Sequence, residues 1–528
     1  MTGASQLYRL AVRRDRIMLP AWIYVLTAIA ASGAYALRGL YPTAASRSGL
    51  AVSVGSNPAL SFLYGQLHGT SMGAVMTWRY GTFGAVGAGL MTIFLVIRHT
   101  RGDEEAGRLE LVDSAAVSRR AALAAGLVIA AVASVAVSVL TFAALLLLGL
   151  PALGSLAFAA GTGQAGLVFG AVAAVAAQVS GTARGARGIA FGVLGASYLL
   201  RAIGDSSGGL GWLSWLSPVG WPGEMRAYGG DRWWVLLLPL ATVIVVAGAA
   251  FALSDRRDVG SGLLPPRPGS PRAGALLRGP LGLAWRLQRG TLAGWAFGFL
   301  VVCGASGAAA KGIGGLLDTS HQLRQVFEKL GGQAGITNAY LAAVMSLAGL
   351  AAGAYATSAV LRLRSEETEL RADPLIAAPV GRIRWAAGHL AVTVAGTAVV
   401  LAAGGLGAGL AYGLRIADVS GQVPAMIGAG LAQLPAALAV AAIAVLLTGL
   451  IPRWSVAGGW VAAGIAALIA LFGPALSLSQ WVLDISPFSQ VPRLPGSAVT
   501  ATPLIWMAAV AVVLAVAGLA GLRRRDLG

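Results

Sequence analysis

RHTRGDEEAGRLELVDSAAVSRR, residues Arg98–Arg120, is a charge-dense island between two long apolar runs. It sets Asp103, Glu104, Glu105, Glu110 and Asp113 against Arg98, Arg101, Arg108, Arg119 and Arg120, so it is near-neutral in itself. A similar island, RLRSEETELRADPLIAAPVGRIR, returns at Arg362–Arg384. With Glu104 laid on Glu367, Arg108 falls on Arg371, Glu110 on Asp373, Val117 on Val380 and Arg119 on Arg382 without a gap. Self-similarity over so long a period points to a duplicated architecture.

The composition around the islands decides the class. Of 528 residues, 57% are hydrophobic and 11% charged, against roughly 25% charged in a soluble globular chain. This is the composition of a membrane protein. In a soluble chain the net charge of +18 would suggest nucleic acid. Here the arginines sit mostly between apolar runs, where they act as topology anchors, and no nucleic-acid partner is expected. Seventy-four glycines allow close helix approach in a bundle. Cys303 is the single cysteine, so no intramolecular disulfide forms. His68, His99, His321 and His389 show no metal-ligand spacing.

Windows of about 20 apolar residues place spans near 17–37, 75–97, 121–149, 161–180, 186–203 and 233–253. A second set follows near 290–310, 339–361, 386–412, 424–451, 456–474 and 503–522. The expected fold is therefore an all-α polytopic membrane protein with 12 transmembrane helices in two six-helix repeats. The first repeat is 1–260, the Pro-rich linker 261–280, and the second repeat 281–528. Arginine-rich segments alternate with poorer ones, which puts both termini and both islands on the cytoplasmic side.

The halves match elsewhere too. Leu10-Ala11, Arg13, Arg16, Leu19 and Trp22 align with Leu283-Ala284, Arg286, Arg289, Leu292 and Trp295. Gln164, Arg184 and Ser217-Pro218 align with Gln433, Arg453 and Ser486-Pro487, and Arg256-Arg257-Asp258 with Arg524-Arg525-Asp526. An even number of spans per half makes the repeats parallel, with an expected cavity where they meet. Each half opens on a basic amphipathic stretch, Gln6–Arg16 and Leu276–Arg289, suited to the inner headgroup layer and thus to membrane lipid. Outside segments 38–73 and 311–338 carry mildly amphipathic pieces such as His321–Leu330.

The pattern EE-x-GR-x-EL followed by A-V-S-R at 104–119 resembles the permeases of ABC-2-type exporters. So do A-A-P-V-G-R (377–382), A-Q-L-P (432–435), P-R (452–453), S-P-F (486–488) and the run Val491–Gly496. The likeness is to the twelve-span polyketide-antibiotic exporters of the tetronasin-transport kind, and it covers the whole chain. The first island departs from the second in having Ala116 where Pro379 stands. The resemblance implies a type V ABC exporter-like fold and a membrane subunit paired with a separate ATPase. It further implies that the basic elbows and the loop after the second span dock on that ATPase. Docking would then fall to Glu104, Glu105, Arg108 and Glu110, to Glu366, Glu367, Arg371 and Asp373, and to elbow residues Arg9, Arg13, Arg16, Arg286 and Arg289. Segments 205–232 and 475–502 would roof the cavity.

Two physical readings stand beside the resemblance. Glu104 with Arg108, and Glu367 with Arg371, are spaced i and i+4 and would pair on one helical face. The only lysines, Lys311 and Lys329, lie in no G-x-x-x-x-G-K-[ST] loop, so this chain holds no phosphate cradle of its own. No cofactor is therefore expected in it, and ATP with Mg belongs to the ATPase, of which two copies are expected. A proton-coupled secondary multidrug antiporter is the alternative, but it would place a carboxylate inside a span. For the substrate, the candidate contacts are Gln164, Gln433 and Arg79, each of which could instead serve helix packing or headgroups. An otherwise apolar lining suits a small hydrophobic or amphipathic cargo carried out across a bacterial plasma membrane.

Overall fold

The computed structural model describes residues 3–55, 58–108, 118, 120–206, 209–258, 260–264, 274, 279–314, 332–377, 380–472, 479–498 and 500–525. Glu110 lies outside them, as do His321–Leu330 and most of the linker. Among the described residues every regular element is helical, and eleven helices are long and apolar enough to cross a membrane. The chain is an all-α polytopic membrane protein. It divides into two compact units, Met1–Gly269 and Ser270–Gly528.

The first unit opens with the elbow α1 (Ala4–Arg14), the span α2 (Met18–Leu40) and the short helices α3 (Ala44–Gly55) and α4 (Pro58–Tyr64). Next come α5 (Met72–His99), whose start is capped by the Ser71 hydroxyl accepting the Ala74 N–H, and α6 (Arg101–Glu105). Spans α7 (Ala121–Leu147), α8 (Ala152–Val179) and α9 (Ala183–Ser206) follow. Short helices α10 (Trp212–Trp215) and α11 (Trp221–Glu224) lead through a 3-10 turn into α12 (Leu237–Asp255). The axis of this unit is α8, with 78% of its most apolar stretch buried, against 22% for α2 and 17% for the last span. Small residues make that possible. A Cβ at Gly166 of α8 would meet Ser134 of α7 and Thr92 of α5, so the backbones approach more closely than larger side chains permit. The outer helices present Leu147, Leu240, Ile244 and Val245 outward, the apolar belt a bilayer needs.

The second unit comprises α13 (Pro280–Gly314), α14 (Gly332–Thr368), α15 (Asp373–Ala377), α16 (Arg382–Ile416), α17 (Val419–Leu431), α18 (Leu434–Leu450), α19 (Ser455–Phe472), α20 (Gln480–Leu483) and α21 (Ala501–Arg524). It departs from the first in two places. The expected separate elbow is absent among the described residues, because α13 runs unbroken through Arg286 and Arg289 into its span. In the first unit the helix breaks at Asp15, a residue that favours helix ends; at the equivalent position the second unit has Gln288. The expected fourth span is split at Ala432–Gln433, since Pro435 in the first turn of α18 has no N–H for the helical ladder; the first unit has Gly166 there. The expected 456–474 span is described as the 18 residues of α19, Ser455–Phe472, within the range of about 17–25 that crosses a bilayer. The expected 186–203 span, by contrast, extends to the 24 residues of α9.

Candidate functional site

The islands fold into the same device twice. At the end of α5, Glu104 receives both Arg257 amino groups, at 2.7 and 2.9 Å. Arg101 sits 3.2 Å from the same carboxylate, and the Gly260 N–H donates to it at 2.6 Å. Arg101 also donates to the Ala177 carbonyl at the end of α8 and to Ser261. Arg257 donates to Gln178 at 2.6 Å, and the Leu263 and Leu264 N–H groups donate to the Gln178 and Val179 carbonyls. Neighbouring Glu105 accepts the Ala183 N–H that opens α9. One buried Arg–Glu–Arg triad thus ties the ends of α5, α8 and α9 to the segment after α12.

In the second unit Glu367 receives Arg525 at 2.5 Å and Arg364 at 3.0 Å. By the alignment of the islands and of the arginine pairs, Arg364 stands for Arg101, Glu367 for Glu104 and Arg525 for Arg257. Arg382 holds this triad through the Arg525 carbonyl at 2.6 Å. Glu366, also buried, is bound by Arg362 and Arg371 at 2.8 and 2.9 Å. Beside it an open groove of about 580 Å³ is lined by Arg362, Arg364, Glu369, Arg453 and Trp460.

The i, i+4 pairs expected from spacing do not form. Helix α6 ends at Glu105 and the chain turns at Gly107 with φ +69°, so Arg108 reaches Asp103 at 2.8 Å instead. Likewise α14 ends at Thr368 and Leu370 takes φ +56°, which folds Arg371 back on Glu366 and Glu369. Asp373 is exposed at the start of α15.

A second duplicated contact lies at the other end of each unit. The Ser217 hydroxyl donates to the Ser197 carbonyl at 2.6 Å, and Ser486 donates to the Ala466 carbonyl at 2.8 Å. In both cases the serine of the Ser-Pro motif is fastened to the unit's fifth span.

The Multidrug efflux system permease Rv1217c, C-terminal domain family matches residues 5–253 and 277–523. The multidrug efflux system permease protein Rv1217c of Mycobacterium tuberculosis (strain ATCC 25618 / H37Rv) is 42% identical over 527 residues, covering 100% of this chain and 95% of that protein. The chain belongs to the Rv1217c family of multidrug efflux permeases.

The remaining expected residues of this permease take varied places. Elbow residues Arg9, Arg13 and Arg16 are exposed, as are Arg286 and Arg289. The elbow α1 is held to the island by Arg14–Asp103 at 2.5 Å, and the buried Asp15 just beyond it by His99 at 2.6 Å and Arg98 at 3.2 Å. Gln433 is 3% exposed and packs against Gly349 of α14, a helix–helix contact. Gln164 is 6% exposed within α8, and neither amide atom has a partner. Arg79 is half-buried with its guanidinium 4.1 Å above the Tyr64 ring. The four triad arginines, Arg101, Arg257, Arg364 and Arg525, are not among the expected site residues, although Arg257 aligns with Arg525. The signal was present in their equal offsets from Glu104 and Glu367.

At the end opposite the island, His68 is held down to about 4 by burial and then by Arg226 and Arg232. Its folded value lies below the unfolded one near 6.5, so between those values the unfolded chain binds the extra proton. Stability is unaffected above pH 6.5 and falls as pH drops from 6.5 towards 4. The thermal midpoint in detergent should drop between pH 7 and pH 5, and by less in His68→Gln; equal drops would remove His68 as the cause.

Proposed function

We propose that this protein is the membrane subunit of an ATP-driven ABC exporter of the polyketide-antibiotic kind. It would move hydrophobic or amphipathic compounds out across a bacterial plasma membrane, with both termini cytoplasmic. The multidrug efflux role of its relative supports the cargo class. A separate ATPase would bind ATP and Mg, since the chain has no phosphate-cradling loop, and two copies of it would serve the two halves that one chain carries.

The observation that carries this reading is the repeated triad. A push on either island reaches the end of its unit's last span, because Glu104 and Glu367 are each bonded to the segment that follows that span. These glutamates act by transmitting force inside their own unit. Contact with the ATPase falls to exposed residues around them: Arg9, Arg13, Arg16, Arg108, Arg371 and Asp373, and the groove beside Arg453. The elbow arginines also meet anionic lipid headgroups.

Co-purification with a candidate ATPase, followed by drug-stimulated ATP hydrolysis in proteoliposomes, tests the proposal. Replacing Arg9, Arg13 and Arg16 together by Glu is expected to weaken association at least tenfold while leaving the permease monodisperse. Drug transport that persists without nucleotide would overturn ATP drive in favour of a proton-coupled antiporter.

A further inference from the structure

At the end of the first unit opposite the island lies a cavity of about 40 Å³, room for roughly three waters. It is walled by α5, the end of α9 and the loop after α11. Arg201 lines it and is 2% exposed. The amino groups of Arg201 reach the Ser61 and Leu63 carbonyls only at 3.3 Å, and Asp205 stands 3.6 Å away. Its Nε–H has no partner. Two further donors in the same wall, Nε of Arg226 and the Thr77 hydroxyl, are buried and unpartnered as well.

Three unpaired donors around one cavity are costly unless an acceptor arrives, at about 1–3 kcal/mol for each buried group left unsatisfied. The unpartnered buried groups of this wall are all donors, which favours an acceptor. Burial, as the first cause, raises the carboxyls of both Glu224 and Asp205 in the same wall above their ordinary range. His68, also in the wall, resists protonation through burial and through Arg226 and Arg232, a sign of positive potential there. Tyr64, Trp78 and Phe158 are among the other lining residues and offer apolar surface beside the first carbons of a chain attached to the anion.

We infer that this cavity binds the carboxylate group of an amphiphile, with Arg201, Arg226 and Thr77 as its donors. The space accommodates the three heavy atoms of a carboxylate more readily than the five of a phosphate. A guest held here lies beneath the 217–232 loop, which is fastened by Tyr228. Its ring lies between Gly73 of α5 and Gly154 of α8, and its hydroxyl meets Ser155 at 2.8 Å. In that loop Arg226, Tyr228 and Asp231 all have positive φ, at 52, 61 and 39°, conformations that side-chain-bearing residues adopt at a cost.

The test uses the full chain in nanodiscs of zwitterionic lipid, with tryptophan fluorescence as readout. 2-Bromododecanoate carries its quencher beside the carboxylate and so close to Trp78; its methyl ester partitions into the bilayer without the charge. Saturable quenching by the acid, at least tenfold tighter than by the ester, is expected. Arg226→Gln and Thr77→Val should each weaken it severalfold. Arg201→Lys, which keeps the charge and loses the fork, should do the same without loss of folded protein. Decanoate should displace the probe where acetate at equal concentration does not. Equal quenching by acid and ester, or binding untouched by the three substitutions, would overturn the site and leave its donors to water. Displacement by acetate as effective as by decanoate would overturn the amphiphile assignment, and displacement by phosphatidylglycerol alone would assign the donors to lipid phosphate and overturn the carboxylate.

Discussion

Glu104→Ala is expected to cost about 3–5 kcal/mol, the penalty for leaving buried charges without their counterion. Two arginines lose their shared acceptor at once. Arg101 is 1% exposed and Arg257 13% exposed at their side chains, so water reaches neither freely. The variant should show a sharply reduced monodisperse fraction after mild heating in detergent. The matching Glu367→Ala should be milder, because Arg364 and Arg525 are 20% and 15% exposed and so retain some hydration. If the triad acts only by filling its site, replacing Arg101, Glu104 and Arg257 together by Met, Leu and Met should restore stability. Under the proposed function that stable triple variant should still lose drug-stimulated ATP hydrolysis. A triple variant that is both stable and fully coupled would show that the triad plays no part in transmission.

Gly407→Ala should destabilise strongly, although alanine is the better helix former by about 1 kcal/mol. A Cβ at Gly407 of α16 would lie 2.2 Å from the Leu300 carbonyl oxygen of α13, and one at Gly307 would lie 2.3 Å from the Ala408 carbonyl. Backbone stands on both sides of the contact, so no side chain can swing away, and the helices must separate. Overpacking of this kind costs about 1–3 kcal/mol and sometimes more. Gly298→Ala on α13 is the matched control, because nothing lies within 4 Å of its added carbon. Its thermal midpoint should hold or rise while that of Gly407→Ala falls by several degrees. Parallel behaviour of the two would refute the close approach.

Much of this was legible in the residues alone. The apolar runs announced their helices, because in hydrocarbon a backbone must satisfy its own hydrogen bonds. The repeat was legible as well: residues aligned by offset, Arg101 with Arg364, Glu104 with Glu367 and Ser217 with Ser486, make the same contacts in each unit. Pro435 announced a break that window-reading smoothed over. The pairing within the islands was misread because spacing alone assumes that a helix continues. Gly107 and Leu370 turn the chain before Arg108 and Arg371 can lie one turn below Glu104 and Glu367.

By itself, then, the sequence determined the membrane class, the helical content and the equal spacing of the repeated residues. Each follows from composition or local spacing. Which charge meets which was decided only in three dimensions. Glu104 lies more than 150 residues from Arg257 in the chain, and Arg201 almost as far from the Ser61 carbonyl. An arginine takes the nearest acceptor that burial leaves it, and only the packed helices bring those acceptors within reach.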